Sequence, residues 1–319
     1  MPFSTIIGHE RIVDILQRAL AAKRIAHAYL FAGPEGCGKQ TTALALLEAA
    51  WCSGEDGCGI CPSCRKVAAR QHPDLHILEP DGAFIKIDQV RELQRGLALR
   101  PYEAPFKACI IEAADRLHPS AGNALLKTLE EPPGKALLVL LTAHPDNVLP
   151  TIRSRCQPLS FPALSEDAVT ALLVRGGTPP DAARLAASLS GGSPGKAVDL
   201  CSDEALINRR ELLEQLFSFS LRDITPLLAA SERLAAEKEN LPGLIDLVLT
   251  FLRDVMHLQY GSGQIMNHDL EELALRQAGR RNPETLFALI EQVSEIGRSL
   301  QRNVNARLAT DLLLMRLAA

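Results

Sequence analysis

Aromatic side chains are scarce: nine Phe, three Tyr and one Trp make up 4% of the 319 residues. That argues against a single-strand nucleic-acid binder built on stacked aromatic platforms. Long apolar runs are missing too. Stretches such as Ala136–Leu141 fall far short of the roughly 18 residues that a membrane span needs. The first ten residues carry no basic segment ahead of an apolar one, so no secretory signal is read and the expected compartment is the cytoplasm. Positive charge is not in excess: 34 Lys and Arg face 38 Asp and Glu, a net charge of −4. Any contact with nucleic acid must come from a local basic patch or be shared with partners. There is no internal repeat and no low-complexity tract. What is present is ordinary for a folded protein, 47% hydrophobic and 23% charged, which excludes wholesale disorder, collagen and a disulfide-dense miniprotein. The length suggests two or three domains.

Short apolar runs alternate with helical patterns in the first half. Helices are expected over Glu10–Ala21, Thr41–Ala50, Gln89–Leu99 with Asp88 as N-cap, and Ser120–Glu131. Strands are expected over His27–Ala32, Asp74–Glu79, Phe106–Glu112 and Ala136–Thr142. Alternation of this kind argues for a parallel sheet covered on both faces. After Phe161-Pro162 every segment reads as helix: short ones around Gly191–Gly195, then six longer amphipathic stretches from Ala205 to Leu317. The fold class is therefore α/β followed by all-α. The expected divisions are an α/β domain over 1–162, a small helical lid over 163–204, and a helical bundle for oligomerisation over 205–319.

Gly33-Pro-Glu-Gly36-Cys-Gly38-Lys39 follows an expected strand and opens an expected helix, the context of a phosphate loop. Its glycines let backbone N–H groups turn inward around phosphate oxygens, and Lys39 would reach the terminal phosphates. The motif then breaks. A hydrolysing site places Ser or Thr after the lysine to ligate Mg²⁺, and here stand Gln40 and then Thr41. A shift of one residue turns a helical side chain by about 100°. At the end of the strand 106–112, the positions of a Mg²⁺-binding Asp and a Glu base hold Glu112 and Ala113. Ala113 cannot polarise water, and Asp115 reads as structural or as an N-cap. Hydrolysis of ATP by this chain is not expected. Nucleotide binding without turnover stays open, as does a Gly-rich turn that binds nothing.

Cys52, Cys58, Cys61 and Cys64 are spaced C-x5-C-x2-C-x2-C, with Gly54, Gly57 and Gly59 expected to supply tight turns. Four thiolates at this spacing suit a tetrahedral structural zinc. An iron–sulfur cluster would place its fourth Cys downstream rather than at Cys52. Disulfides are disfavoured in the cytosol. Cys37, Cys109, Cys156 and Cys201 are scattered and read as small buried residues. Thr142 ends its strand where ligands of an open parallel sheet collect. In the segment that follows, Arg153 and Arg155 read, from pattern alone, as solvated surface.

Taken together these stretches resemble the AAA+ clamp-loader proteins, and among them the delta-prime subunits of the bacterial DNA polymerase III clamp loader. The resemblance is carried by Ile7-Gly8-His9, by 27–39, by the four-Cys knuckle, by Ile87–Leu93, by Asn123–Pro133 and by Leu149–Cys156. It covers about the first 200 residues. Beyond them the likeness is one of length and helical character, apart from Asn303-x-Asn305. The first gap between the cysteines is shorter than the family's. The resemblance implies a subunit of a five-membered ring that opens a sliding clamp and places it on primer-template DNA, using ATP bound by motor subunits of the gamma/tau kind. It implies a stator beside a clamp-opening delta subunit, and a place in a holoenzyme that is a DNA-directed DNA polymerase, a nucleotidyltransferase. It also implies that Arg155, in Ser154-Arg155-Cys156, is an arginine finger for a neighbour's ATP. A motor subunit would carry a phosphate-sensing Arg where this chain has Gly195, with Lys196 one place away.

Two other readings compete. One is an ATP-hydrolysing motor subunit of the same loader; Gln40, Ala113, Gly195 and the absence of a long C-terminal extension speak against it. The other is a zinc-dependent DNA-binding regulator, for which 65–70, with Arg65, Lys66 and Arg70, is the candidate basic helix.

Overall fold

A computed structural model describes residues 2–54, 56–132, 134–261, 265–301 and 304–319. Pro133 and Asn303, both part of the motifs above, lie outside the described residues. The chain divides into two compact units, 1–198 and 199–319.

The first unit begins with α1 (Glu10–Ala21), β1 (Ala28–Ala32), α2 (Lys39–Trp51), α3 (Pro62–Ala68) and β2 (Leu75–Leu78). It continues with α4 (Ile87–Ala98), β3 (Lys107–Ile111), α5 (Pro119–Glu130) and β4 (Ala136–Thr142). The one-turn α6 (Pro150–Arg153) leads to β5 (Gln157–Ser160). The strands form one sheet in the order β2-β3-β4-β1-β5, every pair parallel. This is the parallel sheet that the alternation of strands and helices predicted. β3 and β4 are buried along their whole length, as expected of strands covered on both faces. One face packs Leu30, Ile111, Leu138 and Leu140 against Val90 and Leu93 of α4 and Leu125 of α5. α2 is apolar nearly all round and lies buried.

The fifth strand was not legible in the sequence. Gln157-Pro158-Leu159-Ser160 buries only Leu159, and Pro158 cannot donate to a ladder, so the segment fits an edge that pairs with β1 alone. The helix α3 is likewise additional. Asp88 is not an N-cap: Lys86 holds that place, its N–H bonded to Gln89 Oε1 at 2.9 Å, and Asp88 sits in the first turn of α4. The unit ends in α7 (Glu166–Arg175), α8 (Pro180–Leu189) and α9 (Pro194–Asp199), whose last residue belongs to the next unit.

The second unit holds α10 (Asp203–Leu216), α11 (Thr225–Ala236), α12 (Leu241–Gln259), α13 (Glu271–Arg280), α14 (Pro283–Gln301) and α15 (Ala306–Ala318). α12 packs on α13 and α14, and α15 on α11 and α14. Their apolar stripes meet in one core that includes Leu213, Leu227, Val248, Phe251, Val293 and Leu314. A buried polar knot crosses it. Arg209 donates to Asp269 at 2.8 Å and to Asn267, while Asp254 accepts from Met266 N–H at 2.9 Å and from Asn267 N–H at 2.7 Å. Asn305 caps α15, accepting from Arg307 N–H at 2.9 Å. Among the described residues no helix is long and apolar enough to cross a membrane.

Candidate functional site

The segment 33–38 joins the C-terminal end of β1 to the first residue of α2. Gly38, at φ +103°, is the N-cap, a backbone conformation that L side chains rarely adopt. A Cβ on Gly33 would lie 2.1 Å from the Phe161 carbonyl oxygen, so only glycine fits where the loop passes the end of β5. Lys39 is buried and folds its Nζ back on the carbonyls of Gly33 and Pro34, each at 2.6 Å. Burial lowers its pKa, opposed by the charges of Cys37, Glu35 and Asp115. His9, from the Ile7-Gly8-His9 motif, is buried with Nε2 donating to the Cys37 carbonyl at 2.7 Å, which braces the loop from behind. From the other side, Gly195 N–H donates to the Gly36 carbonyl at 3.1 Å. A Cβ on Gly36 would meet Ser193 Oγ at 2.3 Å, so loop and α9 touch backbone to backbone at residue 195.

The degenerate positions are brought together and bond to one another. The Gln40 amide donates to Glu112 Oε1, and Arg70 Nη2 donates to Gln40 Oε1. Arg70 Nη1 lies 3.4 Å from Glu79 Oε1 and 3.7 Å from Glu112 Oε1. Burial raises the Glu112 pKa and Glu79 adds to it, while Arg70 and Gln40 pull it down. Thr41 is half-buried at the next position of α2, about 100° around the helix from Gln40. Ala113, in place of the base, takes φ +47° at the start of a 3-10 turn. Thr142 is buried at the end of β4 and donates to Asp115 Oδ1 at 2.5 Å. That bond gives Asp115 a structural partner. The N-cap of α5 is His118, not Asp115.

The four knuckle sulfurs lie within 4.8 Å of one another. A tetrahedral metal with sulfur at about 2.3 Å sets its ligands about 3.8 Å apart, so this donor set fits a metal ion. Backbone N–H groups of Gly54 and Cys58 point at Cys52 Sγ, that of Cys61 at Cys58 Sγ, each at 3.3 Å, and that of Cys64 at Cys61 Sγ at 3.4 Å. These donors favour thiolates: hydrogen bonding by Ile60 and Cys61 N–H brings Cys58 down to about 6. Burial and the neighbouring sulfurs push Cys64 up to about 12. Gly57 and Gly59 make left-handed turns; Gly54 does not, and Asp56 makes the third. Of the four remaining cysteines, Cys37, Cys109 and Cys156 are buried, whereas Cys201 is half-buried.

Arg155 lies at the other end of the sheet. It precedes β5 by two residues, and Glu130 ends α5 ahead of β4, so both belong to the N-terminal ends of parallel strands. Arg155 Nε and Nη2 donate to Glu130 Oε1 at 2.9 and 2.6 Å, and Nη1 to the Thr151 carbonyl at 3.0 Å. Arg153 is tied to Asp146 at 3.0 Å.

Comparison with known proteins agrees with this geometry. The family "DNA polymerase III, delta subunit" matches residues 8–165, and "DNA polymerase III, delta subunit, C terminal" matches 203–318. The DNA polymerase III subunit delta' of Bacillus subtilis is 32% identical over 311 residues, 93% of this chain and 92% of that one. The Escherichia coli subunit delta' is 33% identical over 304 residues, 92% of this chain and 89% of its own. The chain belongs to the delta-prime family of DNA polymerase III clamp-loader subunits. A gamma/tau subunit of Mycobacterium tuberculosis is 36% identical, but over 177 residues that make up 54% of this chain and 31% of that one. The delta-prime likeness thus runs through both units. Three residues of this delta-prime site escaped the sequence reading in these roles: Arg70, Glu79 and Glu130. Each bonds across 9 to 30 residues of chain, a separation that carries no local pattern.

Proposed function

We propose that this chain is the non-hydrolysing stator of a clamp loader and that Arg155 acts in trans on a neighbouring subunit's ATP. One observation carries the reading: the length of the sheet separates Arg155 from the chain's own phosphate loop. β1 has five residues, and at about 3.3 Å each that is some 17 Å, more than an arginine spans. Its fork faces outward on Glu130, half-exposed, where a second subunit can present phosphate oxygens. The nucleotide site speaks for the same division of labour. Gln40 and Glu112 satisfy each other, and Ala113 has no group to activate water. The residues at this site therefore do not fit Mg²⁺-ATP hydrolysis.

The chain joins motor subunits of the gamma/tau kind and a clamp-opening subunit, and meets the sliding clamp and primer-template DNA through the assembled ring in the cytoplasm. Its parts are the α/β domain over 1–162, the lid over 163–204 and the collar over 205–319, which holds it in the ring. Cys52, Cys58, Cys61 and Cys64 hold one structural zinc. A four-thiolate site is closed, so the metal fixes the 52–64 loop and does no chemistry. Lys66 is tied to Glu103 at 2.5 Å and Arg70 to Glu79, so two of the three basic side chains beside the knuckle have carboxylate partners within this chain.

Reconstitution with motor subunits, clamp-opening subunit, clamp and primed DNA tests the whole reading. Clamp loading should require this chain, while the purified chain should turn over no ATP. Turnover by the chain alone would favour the motor-subunit reading. Metal analysis of fresh protein should give one zinc per chain, lost in Cys64→Ser; iron, or no metal, would refute the assignment.

A further inference from the structure

Glu79 and Glu112 follow β2 and β3, adjacent parallel strands, and so stand side by side at their C-terminal ends. In a hydrolysing phosphate-loop protein a divalent cation sits there, between a helix hydroxyl and a strand-end carboxylate. Here the helix position offers Gln40, whose amide nitrogen donates to Glu112 and whose oxygen is already taken by Arg70. The side chain that stands in the hydroxyl's place is thus turned to protein partners on both its ends. The positive charge at this place is the guanidinium of Arg70, within 3.4 Å of one carboxylate and 3.7 Å of the other.

The backbone is shaped to deliver that charge. Arg70 ends the turn after α3 at φ +57°, a left-handed conformation uncommon for a residue with a side chain. Its N–H bonds to the Val67 carbonyl at 2.9 Å, and Gln71 N–H to the Lys66 carbonyl at 2.8 Å, which closes the helix end. α3 itself starts at Cys61 and carries Cys64, so the helix that bears Arg70 is anchored in the four-Cys cluster.

We propose that Arg70 is a built-in cation that takes the divalent metal's place between Glu79 and Glu112, so that this site binds no divalent metal. The knuckle then has a task in this chain: it holds α3 where Arg70 reaches the strand ends. The inference extends the non-hydrolysing reading and rests on it only in taking Gln40 and Glu112 as the altered metal positions. Its readout is metal binding, so it can fail while the stator role stands, and the reverse.

The test uses the full chain as purified, with Mn²⁺ as the probe, because Mn²⁺ prefers oxygen ligands to thiolates and its free ion is counted by electron paramagnetic resonance. The wild-type chain should show no saturable Mn²⁺ site below about 1 mM, with or without ATP. Arg70→Ser frees both carboxylates and should bind Mn²⁺ at least about tenfold more tightly, because a cation no longer faces a cation. Arg70→Ser combined with Glu112→Gln should lose that gain, and Arg70→Lys, which keeps the charge, should behave as wild type. If Arg70→Ser does not fold, Arg70→Gln removes the charge and keeps hydrogen-bond donors. A wild-type Mn²⁺ site that disappears in Glu112→Gln overturns the proposal. So does a folded Arg70→Ser or Arg70→Gln chain that gains no Mn²⁺ binding.

Discussion

Arg70 and Arg155 stand at opposite ends of one parallel sheet, and they are held in opposite ways. Arg70, exposed on its outer side, meets three partners, Gln40, Glu79 and Glu112, all at strand or helix ends of its own unit. Arg155 has one carboxylate, Glu130, and otherwise leans on Thr151 and Ser154. A guanidinium has five N–H donors in a rigid fork, so one side chain can tie several groups together. Arg70 turns its two terminal nitrogens to Glu79 and Gln40, which lie 9 and 30 residues away, whereas Arg155 has all three nitrogens engaged, on Glu130 and on its own turn. The polar groups at the altered phosphate-loop positions bond to one another.

The largest effect should come from Arg155. In an assembled loader, Arg155→Ala should lower DNA- and clamp-stimulated ATP turnover by at least about tenfold at the boundary it serves, because arginine fingers contribute about 10³–10⁵ in rate. Folding and assembly should not change. Arg155→Lys should not restore the rate in full, since an ammonium lacks the bidentate fork. Unchanged turnover in a complete ring would make Arg155, like Arg70, a residue that serves its own unit alone.

A smaller effect should come from Glu130. Exposed ion pairs are worth about 0–1 kcal/mol, so Glu130→Gln should change turnover only about two- to fivefold, through the position of Arg155. A loss as large as that of Arg155→Ala would show that Glu130 itself takes part in the chemistry.

The Arg70 end should answer in stability against pH. Burial and Glu79 raise the Glu112 pKa, and Arg70 opposes them. An acid whose folded pKa is raised favours folding when protonated, and that contribution is lost as pH rises through the folded pKa. Arg70→Ala should raise the Glu112 pKa further. Its melting temperature should match wild type most closely below the ordinary carboxylate range and fall behind as pH rises through the folded value. A deficit independent of pH would mean that Arg70 does not act on Glu112.

The smallest effect should come from Lys39. Its Nζ already serves the Gly33 and Pro34 carbonyls, so Lys39→Ala should change loader turnover by less than about twofold. A tenfold loss would mean that this loop holds working nucleotide.

Much of the fold could be read from local pattern. The helix Glu10–Ala21 and the strand Ala136–Thr142 have the expected ends, because amphipathic spacing and an uninterrupted apolar run are properties of neighbouring residues. β5 could not be read so. Its exposed Gln157, Pro158 and Ser160 look like loop, and only the open edge of β1 makes them a strand. The candidate site divides in the same manner. Four cysteines within thirteen residues announce themselves, while the partnership of Glu130 with Arg155 spans 25 residues and that of Gln40 with Glu112 spans 72.

The sequence by itself determined most element types, the order of α/β before helices, the four-Cys cluster and the presence of Gln40 and Ala113 at the phosphate-loop positions. These follow from residue identity and short spacing, where the physics is local. Tertiary structure alone decided what became of the charges. Parallel strand order sets Glu79 beside Glu112, the left-handed turn after α3 aims Arg70 between them, and the direction of β5 puts Arg155 at the far end from Lys39. Charge pairing depends on distance in space, and only the folded chain fixes that distance.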